Sequence, residues 1–121
     1  MTTKVYDIKQ RTYLFALEVV KFLDGVPGDY IGRTLGKQLL RSATSIGANI
    51  VEAQAASSKR DFINFYGYAL KSANESKFWL GLLKDTGKAS EETAGVLLKE
   101  THELSNILAS SILTMKGKGK F

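Results

Sequence analysis

Cysteine is absent from the 121 residues, and proline and histidine occur once each. Without cysteine there is no disulfide framework, thiol nucleophile or thiolate metal site, and no need for an oxidising compartment. With a single proline, long stretches lack the strongest helix breaker, and Pro27 itself stands between two apolar periodic segments, where a connection between helices is expected. No apolar run approaches the roughly 18 residues that span a bilayer. Met1 to Lys9 alternates polar and apolar residues in place of the continuous apolar region of a secretory signal. The expectation is a cytoplasmic chain with no membrane partner.

What remains is ordinary globular material, 44% hydrophobic, enough for one domain with a real core. The apolar residues recur at helical spacing, so the fold class is all-α. The first helix is expected over about 5–23, with Ile8, Thr12, Phe15, Val19 and Phe22 on its seam. The second runs over about 30–56, with Ile31, Leu35, Leu39, Ala43, Ile46, Ile50 and Ala53 facing the core. Gly32 and Gly36 weaken its first turns, since an interior glycine costs roughly 1 kcal/mol relative to alanine, and fraying is expected there. Ser58 begins a capping pattern for the third helix, about 59–86, which Gly87 ends. Ser90 with Glu91 and Glu92 opens the fourth, about 91–115. Short connections imply neighbouring antiparallel helices, hence an up-down-up-down four-helix bundle over 1–115, followed by a flexible basic tail, 116–121.

Two helices carry more than a bundle member needs. The third has a seam of Phe62, Tyr66, Ala69, Ala73, Ser76, Leu80 and Leu83, and beside it a second seam containing Phe65, Tyr68, Ser72, Glu75, Trp79 and Leu82. The two seams form either one broad core face or a core face plus a contact surface. On the second helix Leu40, Gly47, Ala48 and Val51 lie away from the core, among small residues that let another backbone approach. Leu40, Gly47, Ala48, Val51, Phe65, Tyr68 and Trp79 are therefore the expected contacts between copies of the chain. Arg41, Asn49, Glu52 and Glu75 form an expected polar network. In it Arg41 pairs with Glu75 or Glu52, within or between chains, and Asn49 bonds backbone or a nearby polar side chain.

Chemistry has little to work with. His102 lies among Lys99, Glu100 and Glu103, a grouping read as solvated surface charge. The Glu-x-x-His pairs of di-iron bundles are missing, because Lys99 occupies the position three before His102. Serines 42, 45, 57, 58 and 72 have no histidine or lysine base at motif spacing, and there is neither a P-loop nor a GxGxxG. No catalytic residue, metal or cofactor is expected. A carboxylate site converging Glu52, Glu75 and Asn49 is the remaining enzymatic alternative.

A net charge of +5 points instead to polyanions. Arg33, Lys37 and Arg41 recur every four residues as a ridge, Lys59 and Arg60 follow, and Lys116, Lys118 and Lys120 stud the tail. Such cations neutralise phosphates of RNA or DNA without reading bases. The alternative is a solvated face with a solubility tail, on a protein that binds another protein as an adaptor.

Residues 38 to 75 also resemble the signature region of a four-helix bundle family named for open reading frames in 23S ribosomal RNA intervening sequences. The resemblance rests on Arg41, Ser42, Ala43, Ser45, Ile46, Ala48, Asn49, Ile50 and Glu52, then Phe62 and Phe65, then Ala69, Ser72 and Glu75. Gly47 stands where the family commonly has proline, and Ala53 where glycine is frequent. The resemblance implies a small protomer assembling as a ring-like homo-oligomer, with a homopentamer favoured. It is similar in architecture to the accessory variability determinant proteins of diversity-generating retroelements, basic pentamers that bind nucleic acid and a reverse transcriptase. The family name reports where some of the genes sit and states no activity.

Overall fold

Four short polar side chains decide where the helices begin. Asp7, Asp29, Ser58 and Ser90 hold extended backbone and accept from the N–H of Gln10, Gly32, Asp61 and Thr93 at 2.8, 2.8, 3.1 and 3.1 Å. Each satisfies a donor that has no partner inside its helix. In the computed structural model, which describes residues 7–117, the result is α1 (Ile8–Leu23), α2 (Tyr30–Gln54), α3 (Lys59–Asp85) and α4 (Glu91–Met115), with no strand among the described residues. Asp7, expected inside the first helix, caps it instead, and residues 5 and 6 lie outside the described residues. Also outside them are Lys118 and Lys120. The ends of α2 and α3 fall within two residues of expectation, as fraying termini do.

The stop after α3 is sharper. Gly87 adopts φ 75°, its N–H donates to the Lys84 carbonyl at 3.1 Å, and the Lys88 N–H donates to the Leu83 carbonyl at 3.0 Å. This is the Schellman arrangement, which uses the left-handed backbone that glycine adopts without a Cβ penalty.

Each helix packs on the next in sequence and α1 also touches α4, around a core of Phe15, Val19, Leu39, Ile46, Ile50, Leu80, Leu83, Leu104 and Leu108. The α2–α3 pair is the most extensive. Its buried small residues, Ser42 and Ala43 against Ala69, Ala73 and Ser76, permit close approach. The Ser42 and Ser76 hydroxyls are 2.9 Å apart, and Ser76 also donates to the Ser72 carbonyl at 2.8 Å, so neither buried oxygen is orphaned.

Gly32 and Gly36 do not loosen α2. Both are buried, and a Cβ on Gly32 would run into the Pro27 carbonyl and lie 2.8 Å from Asp29 Oδ1, so glycine is what allows the preceding turn to fold onto the helix. Ile31, expected in the core, is 46% exposed, while its neighbour Gly32 is the buried residue of that turn. At this end Lys88 Nζ lies 2.9 Å from Asp29 Oδ2, joining the α3–α4 connection to the start of α2.

Gly32→Ala lowers stability in urea titration although helix propensity alone favours alanine. Gly67→Ala, with nothing within 4 Å of the added methyl, raises it by about 0.5–1 kcal/mol. The Lys88 ammonium and the Gly32 N–H hold the Asp29 carboxyl below the usual carboxylate range. That contribution is present above the unfolded pKa of about 3.9 and is lost as pH falls through the lower folded value. Asp29→Asn, itself a good cap, therefore weakens the fold at pH 7, and the difference from wild type disappears under strong acid in the same titration.

Candidate functional site

Three surfaces gather the residues singled out above. The first is apolar. Between α1 and α2 runs an open groove of about 810 Å³ lined by Thr12, Tyr13, Ala16, Thr44, Gly47, Ala48 and Val51, with Asp7, Lys9 and Gln10 at one side. Tyr13 is 67% exposed and Val51 50%, while Leu17, Val20 and Leu40 are also exposed on these two helices. Gly47 faces inward: its missing Cβ would sit 3.2 Å from Thr12 Oγ1, so it serves the α1–α2 contact within the chain. α2 passes through it without a break, so the glycine standing where proline is common in the family leaves the helix whole.

Polar residues make the second surface, along α2 and α3. Arg41 donates to Glu75 Oε2 at 2.6 Å and to Gln38 Oε1 at 3.0 Å, and the same carboxylate oxygen accepts from Trp79 Nε1 at 3.2 Å. Of the two expected partners, Arg41 meets Glu75 and not Glu52 in the single chain. Glu75 is thereby held by a cation and an indole N–H, a charge-assisted arrangement that orients all three side chains. Asn49 Nδ2 donates to the Ser45 carbonyl one turn back at 2.8 Å, whereas Glu52 is exposed and has no ion pair among the described residues. Phe65 and Trp79 are half-buried against the core and Tyr68 is half-exposed beside them. The expected contact residues thus separate onto two faces: Leu40, Gly47, Ala48 and Val51 on one, Phe65, Tyr68 and Trp79 on the other.

Cations make the third, and they divide between the two ends of the molecule. Arg41 is paired with Glu75 and Arg33 donates to the Gly28 carbonyl at 2.5 Å, so of the three-residue ridge on α2 Arg33 and Lys37 have no carboxylate partner among the described residues. Lys59 and Arg60 instead meet Lys116 around a groove of about 400 Å³ completed by Ile63, Asn64 and Met115.

His102 is exposed, and no cluster of three or more His, Asp or Glu side chains suited to a metal occurs among the described residues. Glu100 and Glu103 are not solvated bystanders. Arg11 reaches across from α1 with Nε 2.7 Å from Glu100 Oε2 and a terminal nitrogen 2.5 Å from Glu103 Oε1, which raises its own already high pKa. Arg11 was not among the residues singled out from sequence, because periodicity cannot supply a partner 89 residues away. The i, i+3 pair of acids on α4 was the available signal. The exposed Tyr13, Leu17 and Val20 of α1 were not among the expected contact residues, and Phe78, 59% exposed on α3, lay on neither seam.

With these surfaces in place, comparison with known proteins is informative. The family model described as 23S rRNA-intervening sequence protein matches residues 4–110. Among solved structures the chain is similar to a Bacteroides thetaiotaomicron VPI-5482 protein, described as having unknown function and belonging to the S23 ribosomal protein family. The two are 38% identical with a TM-score of 0.82, over 88% of this chain and 98% of that one. No curated protein matches. No helix among the described residues is long and apolar enough to cross a membrane.

Arg11→Met keeps the aliphatic stem but removes the charge, leaving Glu100 and Glu103 to repel one another across one turn. The expected loss in urea titration is about 1 kcal/mol, shrinking in concentrated salt as the charges are screened.

Proposed function

This chain belongs to the 23S rRNA-intervening sequence protein family, and we propose that it is a non-enzymatic bundle that assembles with copies of itself and holds nucleic acid by phosphate contacts. In this reading the helices run up-down-up-down, consistent with short connections and sequential packing. The copies close into a ring, the pentamer being the order that the family resemblance favours. The cytoplasm is the compartment that suits a cysteine-free chain of this composition.

One observation carries the assembly: Tyr13, Leu17, Val20, Leu40 and Val51 stand exposed on the two helices that flank a groove floored by Ala16, Gly47 and Ala48. Fully burying one such large side chain contributes about 1.5–3 kcal/mol, and monomers seldom leave so many together. Small residues along the floor favour an approaching helix over a loosely held small molecule. Assembly also explains why moderate charge suffices, since repeating the cations of one protomer around a symmetric particle multiplies the field that draws phosphates.

A second reading, an adaptor that binds another protein without nucleic acid, is supported by the exposed rings of Tyr68 and Phe78 on α3, away from the α1–α2 groove.

Sedimentation at low micromolar concentration tests the assembly. Wild type is expected at a multiple of the 13.3 kDa protomer, and Val51→Glu, which puts a charge in the groove wall, at or near one protomer. A monomeric wild type, or a Val51→Glu variant of unchanged mass, overturns the assignment of this face.

A further inference from the structure

Helix N-termini favour acids, because the macrodipole places partial positive charge there. α4 follows the rule with Glu91 and Glu92, whereas α3 opens with Lys59 and Arg60 and has only Asp61 to offset them. Asp61 accepts from Ser57 Oγ at 3.4 Å while its backbone N–H goes to Ser58, and neither cation has an ion pair to it among the described residues. α4 then delivers a third cation to the same place: Lys116, just past its C-terminus, lines one groove with Lys59 and Arg60. All three are exposed. Lys59 and Arg60 thus stand where the α3 dipole disfavours them, whereas Lys116 stands at the α4 C-terminus, where a cation is favoured. Arg11, Lys21, Arg41, Lys84 and Lys88 each face a carboxylate within 4 Å, and among the described cations that do not, Lys59, Arg60 and Lys116 stand three to one groove, against Arg33 and Lys37 in another. A local rule broken without internal compensation marks a surface shaped by something other than stability.

We propose that the groove bounded by Lys59, Arg60 and Lys116 is the site at which this protein holds the phosphodiester backbone of single-stranded RNA, with the α2 ridge contributing little. This rests on the nucleic-acid reading above and locates it. The chemistry fits the class. Cations on the rim accept phosphates, the Asn64 amide is placed beside them for a phosphate or 2′-hydroxyl oxygen, and the apolar Ile63 and Met115 offer a surface for a sugar or base face. An open groove of about 400 Å³ has room for a nucleotide-sized segment. Nothing in it distinguishes one base from another, so binding is sequence-tolerant and strongly salt-dependent.

The test uses the full chain and a fluorescein-labelled single-stranded RNA of mixed sequence, followed by anisotropy between 50 and 200 mM salt. Lys59→Gln/Arg60→Gln/Lys116→Gln is expected to weaken binding and to reduce the slope of log K against log salt by about 2, the loss of three single-strand phosphate contacts. Arg33→Gln/Lys37→Gln is expected to leave slope and affinity within twofold of wild type. Because the cluster repels itself, the triple variant is expected to melt no lower than wild type and to sediment identically. Those two measurements separate loss of a site from loss of the fold, and Lys116→Gln alone, expected to lower the slope by about 0.7, supplies a milder variant. If the triple variant binds like wild type while Arg33→Gln/Lys37→Gln loses affinity, the location is wrong and the nucleic-acid reading survives. If wild type fails to bind RNA even at 50 mM salt, both fall. Tighter binding to phosphatidylserine vesicles than to RNA, lost in the same triple variant, overturns the assignment of ligand.

Discussion

The close approach of α2 and α3 is the constraint from which the remaining surfaces follow. Ser42, Ala43, Ala69, Ala73 and Ser76 are small enough to bring the two backbones together, and the hydroxyl pair at its centre keeps that contact free of unpaired oxygen. Once these helices are in register, Arg41 and Glu75 meet on the outside of the same contact and Trp79 turns its N–H to the shared carboxylate. The opposite flank of α2 is then left to α1. That helix is only 16 residues long against 25 for its partner, and it covers the flank incompletely. The apolar groove is therefore a by-product of tight pairing elsewhere, and it makes a surface that a second copy could cover.

Polar contacts in this protein join elements that are remote in sequence. Arg11 holds α1 to α4 through two carboxylates, and Lys88 holds one connection to the beginning of α2. Exposed ion pairs contribute little individually. Here they join elements that the apolar core already packs side by side, and that core provides most of the stability.

Much of the architecture was legible because its causes are local. Ser58, Gly87 and Ser90 mark helix ends by chemistry that acts within a few residues, and the heptad seams named Leu39, Ile46, Ile50, Leu80 and Leu83 as core, as they are. Gly32 was misread for the opposite reason. Propensity treats glycine as a weakness, and the close Pro27 carbonyl that makes it necessary comes from how the turn folds back. Ile31 failed likewise, since the turn buries Gly32 and leaves Ile31 46% exposed. The two partner surfaces were half legible. Residues of α2 were identified on the first and residues of α3 on the second, but the α1 half of the apolar groove and the union of Lys59 and Arg60 with Lys116 depend on which helices are adjacent.

The Asp29–Lys88 pair has a further consequence. It stitches two of the three connections together, and the Schellman turn tightens one of them. The connection between α2 and α3, residues 55–58, has no comparable ion pair to another loop among the described residues. The pole without such a pair is also where Lys59, Arg60 and Lys116 line one groove, and it is where hydrogen exchange is expected to be fastest. An anion settling there would act as a clasp, slowing exchange at that pole while leaving the other untouched.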